Sequence, residues 1–110
     1  MNTRSLEQSQ WSGTLNETDA WGNGEYTAEI GMIFYSESKG RCSVKRGDES
    51  PFEYDFEYSV DAKILIIHEK KGDLDGHWLL IQSDKDKIVL EKGTGGDGAY
   101  KGVLTLKRNY

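Results

Sequence analysis

The chain of 110 residues lacks most of the features that assign a protein quickly to a class. It holds a single cysteine, Cys42, which excludes an internal disulfide, and we expect that residue to be a small core side chain rather than a reactive thiol. It has no run of 18 apolar residues, which excludes a transmembrane helix. Residues 1–9 are polar and show no export signal, so we expect a flexible N-terminal segment followed by one domain over 10–110.

Apolar residues are scarce, at 35% of the chain, while charged residues reach 30%. Disorder does not follow, because aromatic and β-branched residues recur in regular alternation. A sheet that is buried on one face needs an apolar residue only at every second position. The net charge of −5 argues against nucleic acid or an anionic membrane as a partner.

Signatures of catalysis and of metal binding are also missing. His68 and His77, with Asp73 and Asp75 between them, match no zinc spacing and only a fragment of a calcium loop. No serine lies in a nucleophile elbow, and the glycine-rich loop over 93–98 lacks the Lys-Ser/Thr of a phosphate-binding loop. We therefore expect no metal, no cofactor and no enzymatic activity.

What the sequence does contain is a regular alternation of apolar and polar residues. The alternation is clearest over 52–60, where aromatic residues and a valine alternate with acidic residues and a serine. A period of two is typical of strands with one buried face. We predict eight strands, β1 to β8, over 10–16, 25–36, 41–46, 52–60, 63–69, 77–83, 87–92 and 100–108.

Short turn-forming segments join these strands, so we expect successive strands to pair antiparallel in a meander. An eight-stranded sheet has two exposed edges unless β1 closes onto β8. The predicted fold is therefore all-β, an eight-stranded antiparallel up-and-down barrel. We predict that β3 and β4 pair around Glu49, with Lys45 opposite Glu53 and Arg41 opposite Glu57 on the outer face. Those outer charges argue against an outer-membrane barrel, because lipid-facing charges are costly.

Several short segments together resemble the small lipocalin-like (calycin-type) domain proteins of Bacteroidetes. The segments that carry the resemblance are 11–14, 56–60, 65–67, 78–81, 88–90 and 104–108. The resemblance implies a lipocalin-like meander barrel over 10–110, closed at one end by Trp11 packed under Arg108 in a cation–π contact. It also implies export to the periplasm or the cell surface; a cytoplasmic location is the alternative.

In lipocalin-like barrels the connector between the first two strands covers the open mouth. Trp21 lies in that connector, placed to stack on an apolar or aromatic ligand. The other residues that we expect to line the pocket are Tyr26, Met32, Phe34, Tyr54, Phe56, Tyr58 and Trp78. The alternative is that these bulky side chains fill the barrel completely, which eight strands allow.

A second apolar set falls on the predicted outer face of β5 to β8. Its members are Ile64, Ile66, Leu79, Ile81, Val89 and Val103. Exposed apolar patches of this kind mark interfaces, so we expect a second copy or another protein to cover it. The first hypothesis is that the chain is a non-enzymatic binding module for a small apolar or aromatic ligand at the mouth of the barrel. The second is that it is a protein–protein interaction module with a filled interior, which uses the outer face of β5–β8.

Overall fold

The computed structural model describes residues 6–18, 25–69, 74–93 and 101–109. Eight antiparallel strands form a closed barrel in sequence order, which confirms the predicted architecture. The strands are β1 (Ser9–Thr18), β2 (Glu25–Phe34), β3 (Lys39–Lys45), β4 (Phe52–Asp61), β5 (Ile64–His68), β6 (Gly76–Ser83), β7 (Lys87–Gly93) and β8 (Lys101–Arg108). Among the described residues, no helix is long and apolar enough to span a membrane.

The barrel begins earlier in the chain than the sequence indicates. We expected residues 1–9 to be a flexible segment, but β1 already starts at Ser9, and Leu6 is buried in the core. The Ser9 hydroxyl donates a hydrogen bond to the Leu6 carbonyl and accepts one from the Trp11 indole at 2.7 Å. Leu6 is one apolar residue in a polar stretch, so no periodic pattern marks it as a core residue.

The core is made of the inward-facing residues of all eight strands. Cys42 lies within it, as predicted. The buried hydrophobic residues of the strands are Trp11, Leu15, Ala28, Ile30, Met32, Phe34, Cys42, Val44, Phe56, Tyr58, Leu65, Ile67, Trp78, Ile88, Leu90, Leu104 and Leu106. The alternation in the sequence therefore identifies the inward faces correctly.

Closure of the barrel depends on the pairing of β1 with β8. Trp11 lies directly opposite Arg108, and the Arg108 guanidinium carbon is 5.7 Å from the centroid of the Trp11 ring, which confirms the predicted contact. Gly13 lies opposite Leu106, and a Cβ at Gly13 would come within 1.7 Å of the Thr105 carbonyl oxygen. The two strands therefore approach so closely at this seam that only glycine fits at position 13.

The predicted register of β3 and β4 is wrong by two residues. Arg41 pairs with Asp55, and not with Glu57. The shift places Gly40 opposite Phe56, and a Cβ at Gly40 would lie 2.5 Å from the Phe56 ring, so the ring takes the space that glycine leaves. A two-residue slip preserves which face each side chain occupies. The outer charges still match, because the Arg41 guanidinium lies 3.0 Å from the Asp55 carboxylate.

Candidate functional site

The side chains predicted to line a pocket form much of the core. Met32, Phe34, Phe56, Tyr58 and Trp78 are all buried. Phe34 makes edge-to-face contacts with Tyr58 and Phe56, at centroid distances of 4.9 and 5.8 Å. Such pairs contribute about 0.5–1.5 kcal/mol each beyond their buried area. The rings therefore pack against one another in the interior of the barrel.

Tyr58 is held in this cluster by its polar end as well. Its hydroxyl donates a hydrogen bond to the Ser36 carbonyl in the β2–β3 connection. Burial raises the pKa of the Tyr58 phenol to about 12, and the nearby Glu7 and Glu37 act in the same direction. The phenol is therefore neutral over the whole physiological pH range.

Leu74 and Asp75, which directly precede β6, lie at the mouth end of the barrel. In an up-and-down barrel the β1–β2, β3–β4, β5–β6 and β7–β8 connections share one end, which is the end assigned to the mouth. Leu74 is completely buried there, and its carbonyl accepts a 2.8 Å hydrogen bond from the Trp78 indole. The Lys92 ammonium lies 5.5 Å from the centroid of the Trp78 ring and donates to the Asp75 carbonyl. The chain thus covers part of its own mouth.

Sequence reasoning missed both Leu74 and Lys92. Leu74 is a single apolar residue in a predicted turn, and Lys92 is a charged residue at the end of a predicted strand, so neither position stands out in the sequence. The opposite end of the barrel is also covered, by Leu6, Trp11 and Arg108, around a small cavity of about 100 Å³. The arrangement at both ends favours the filled interior over the hollow one.

Of the other three predicted ligand-binding residues, the structure describes Tyr26 and Tyr54. Tyr26 is 54% exposed, which corrects the expectation that it lines the interior. It pairs with Glu17 near the mouth end of β1 and β2, beyond the level of the core. Tyr54 is partly buried, with its ring centroid 5.7 Å from that of the exposed Phe52. Trp21 lies outside the described residues.

Several grooves of the described structure lie on the outer surface. The one between β3 and β5 has a volume of about 470 Å³, and its lining includes Tyr35, Asp55, Glu57 and His68. Another, of about 520 Å³, crosses β1 to β3 over Gly31. Within the described ranges, no group of His, Cys, Asp or Glu side chains is arranged to hold a metal ion.

The outer surface of β5 and β6 carries four aliphatic side chains in one unbroken group. Ile64 lies directly opposite Leu79, while Ile66 and Ile81 lie diagonally on either side of that pair. A β-bulge between Leu80 and Gln82 shifts the register with β7 and leaves Ile81 on the outside. Leu79 and Ile81 are 49% and 51% exposed. We call Ile64, Ile66, Leu79 and Ile81 the β5–β6 patch.

The predicted apolar band does not continue unbroken to β8. Glu91 lies opposite Leu79 on one side and opposite Val103 on the other, so it separates the β5–β6 patch from Val103, whereas Val89 pairs with Gln82 beside the bulge. Its carboxylate is 3.5 Å from the Lys101 ammonium. The sequence could not show this break, because the position of Glu91 depends on the bulged register.

Charge distinguishes β5 and β6 from the rest of the barrel. Of the eight described strands, only these two contain no Asp, Glu, Lys or Arg. The nearest charges on the outer face of β4 are Asp61, opposite Ile64, and Glu57, opposite His68. The β5–β6 patch is therefore an uncharged surface with an acidic rim on its β4 side.

No family model, no curated protein and no solved structure matches this chain. The resemblance to lipocalin-like domains therefore stays a prediction, and a proposal about function depends on the geometry of the described residues.

Proposed function

We propose that this chain is a protein–protein interaction module, a barrel filled by its own side chains whose working surface is the β5–β6 patch. The observation that carries the proposal is the coincidence of two properties on one surface. Four outward aliphatic side chains adjoin one another there, and both strands lack charged residues. Exposed apolar groups of this kind on soluble proteins mark interaction sites.

The close packing of the described core side chains supports this choice over a ligand carrier. A ligand site of drug size needs a concavity of roughly 300–1,000 Å³ that surrounds most of the ligand. The aromatic cluster around Phe34 occupies the corresponding space inside the barrel, and Leu74 covers part of the way in. An enzyme is supported less well still, because the described residues bring no acid, base or nucleophile together inside the barrel.

A second candidate function is the binding of a small apolar or aromatic ligand at the rim of the mouth. It is favoured by two exposed aromatic residues at that end, Tyr26 and Phe52, which are 54% and 58% exposed. Titration with an apolar naphthalene dye tests it. Saturable binding that is lost in Tyr26→Ser and Phe52→Ser would support the rim site, and unchanged binding in both variants would exclude it.

Site-specific photo-crosslinking in the native host tests the leading proposal. A photoreactive phenylalanine at position 79 lies in the β5–β6 patch, and one at position 27 lies on the outer face of β2 across the barrel. We expect one discrete crosslinked species from position 79 and none from position 27. Ile66→Lys should abolish the species without unfolding the chain. Equal, diffuse crosslinking from both positions would contradict the proposal.

The location of the protein is proposed from the resemblance alone. We propose the periplasm or the cell surface, where an interaction module of this size has access to other exported proteins. Fractionation of the host cells tests this, and recovery of the chain only in the cytoplasm would contradict it.

A further inference from the structure

We infer that the partner of the β5–β6 patch is a basic protein segment, which covers the patch with apolar side chains and inserts an arginine into the groove between β3 and β5. The inference rests on the proposed function and names the chemistry of the partner. It is argued from the charges beside the patch, from the position of the groove and from the residues that line it.

Two carboxylates on the β4 side of the patch favour a basic partner. Asp61 lies opposite Ile64, and Glu57 lies opposite His68. Within the described part of the chain neither carboxylate forms an ion pair, although Lys39 lies across from Glu57 on β3. Four residue steps along β4 place the two carboxylates roughly 13 Å apart. Basic side chains of a partner can therefore pair with them, and the net charge of −5 attracts such a partner from a distance.

The groove between β3 and β5 begins where the patch ends. Ile66 in the patch and His68 in the lining of the groove are successive outward residues of β5, about 7 Å apart along the strand. The groove has a volume of about 470 Å³. That value falls within the roughly 300–1,000 Å³ of ligand sites, so the groove has room for a long side chain. One segment can therefore place apolar side chains on the patch and a basic side chain in the groove at the same time.

The residues that line the groove suit a guanidinium group. Asp55 and Glu57 of β4 both line it, together with Tyr35, whose side chain is 52% exposed. Asp55 is paired with Arg41 at 3.0 Å, which leaves Glu57 as the β4 carboxylate for an incoming cation. A guanidinium can donate two parallel hydrogen bonds to one carboxylate and can stack on an aromatic ring, whereas a lysine ammonium supplies a point charge. We therefore expect arginine rather than lysine in the groove.

NMR titration of the purified full chain with N-acetyl-arginine amide tests the groove in the absence of the partner. We expect saturable shifts of the backbone amide signals of Tyr35, Glu57 and His68, with a dissociation constant on the order of 1–10 mM. The corresponding lysine amide should bind more weakly. Glu57→Gln should weaken binding of the arginine amide by about fivefold. Glu29→Gln removes the same charge from the outer face of β2 and should leave binding unchanged.

Crosslinking from position 79 in the native host tests the partner itself. Glu57→Gln should lower the yield of the crosslinked species by about fivefold, because the arginine of the partner loses its carboxylate. Glu29→Gln should leave the yield unchanged. Thermal unfolding followed by circular dichroism identifies any variant that fails to fold.

Several results would overturn the inference. Shifts of similar size at every exposed carboxylate, or equal binding of the lysine amide, would refute an arginine site in the groove. A discrete crosslinked species whose yield is the same in Glu57→Gln would leave the proposed function standing and refute the basic partner. So would a species that contains a second copy of this chain. The absence of any species would remove both.

Discussion

Replacement of Gly13 by alanine tests the account of how the barrel closes. The Cβ that Gly13→Ala introduces would lie 1.7 Å from the Thr105 carbonyl oxygen and 2.8 Å from the carbonyl carbon, both of which belong to the backbone of β8. Neither atom can move as a side chain does, so β1 and β8 must separate locally. Loss of two ladder hydrogen bonds, at about 1 kcal/mol each, and of the packing next to them amounts to about 3–5 kcal/mol.

That loss is a large part of the roughly 5–15 kcal/mol by which a domain of this size is stable. At about 4–8 °C for each kcal/mol, we expect the melting temperature to fall by about 12–40 °C. Gly31→Ala is the matched control, because the nearest atom to a Cβ there is the Ser43 Cβ at 3.8 Å, an ordinary contact. It should be neutral or stabilising by up to about 1 kcal/mol. Chemical denaturation of both variants measures the difference, and equal free energies of unfolding would refute the close approach at the seam.

Three further predictions concern single positions. Ala62 has a φ of 53° in the two-residue connection between Asp61 and Ile64. Because glycine adopts this conformation without strain, Ala62→Gly should stabilise the chain by about 1 kcal/mol, whereas Lys63→Gly should not. A loss of stability in Ala62→Gly would contradict this. Leu74→Ala should cost about 2–5 kcal/mol because Leu74 is fully buried, and Leu79→Ala less than about 1 kcal/mol; similar losses in the two variants would argue against Leu74 as a core residue. Burial raises the pKa of Tyr58 from 10.0 to about 12. The Tyr58 phenol therefore loses its proton at lower pH in the unfolded chain than in the folded chain. The stability that Tyr58 contributes is complete below pH 10 and is lost between pH 10 and 12. Urea unfolding over this pH range should show an extra loss of roughly 1–2 kcal/mol that is absent in Tyr58→Phe, and parallel profiles would refute it.

The parts of the fold that sequence reasoning predicted are those set by local alternation. Inward and outward faces follow from the period of two, and the bounds of every strand fall within two residues of those expected. The closing pair, Trp11 and Arg108, was identified from the resemblance and confirmed by the register of β1 and β8. These features repeat along the chain or lie at its ends, and so they can be recognised from the sequence.

The parts that were missed depend on the shape of single side chains. The register of β3 against β4 follows the fit of the Phe56 ring over Gly40, and a slip by two residues leaves the pattern of faces unchanged. Leu74 closes the mouth from a connection that has no period. The sequence left open whether the barrel is hollow or filled, because that depends on how the rings of Phe34, Phe56 and Tyr58 meet.

The absence of charge from β5 and β6 is the feature that folding alone does not explain. The two strands together hold thirteen residues, and at the 30% frequency of the whole chain about four of them would be charged. The outward positions of β4 carry Glu53, Asp55 and Glu57, and the barrel closes with those charges in place. Outward positions on β5 and β6 therefore have no structural need for isoleucine and leucine. Since exposed aliphatic side chains favour association, this lack of charge on β5 and β6 supports the proposal that a partner covers the β5–β6 patch.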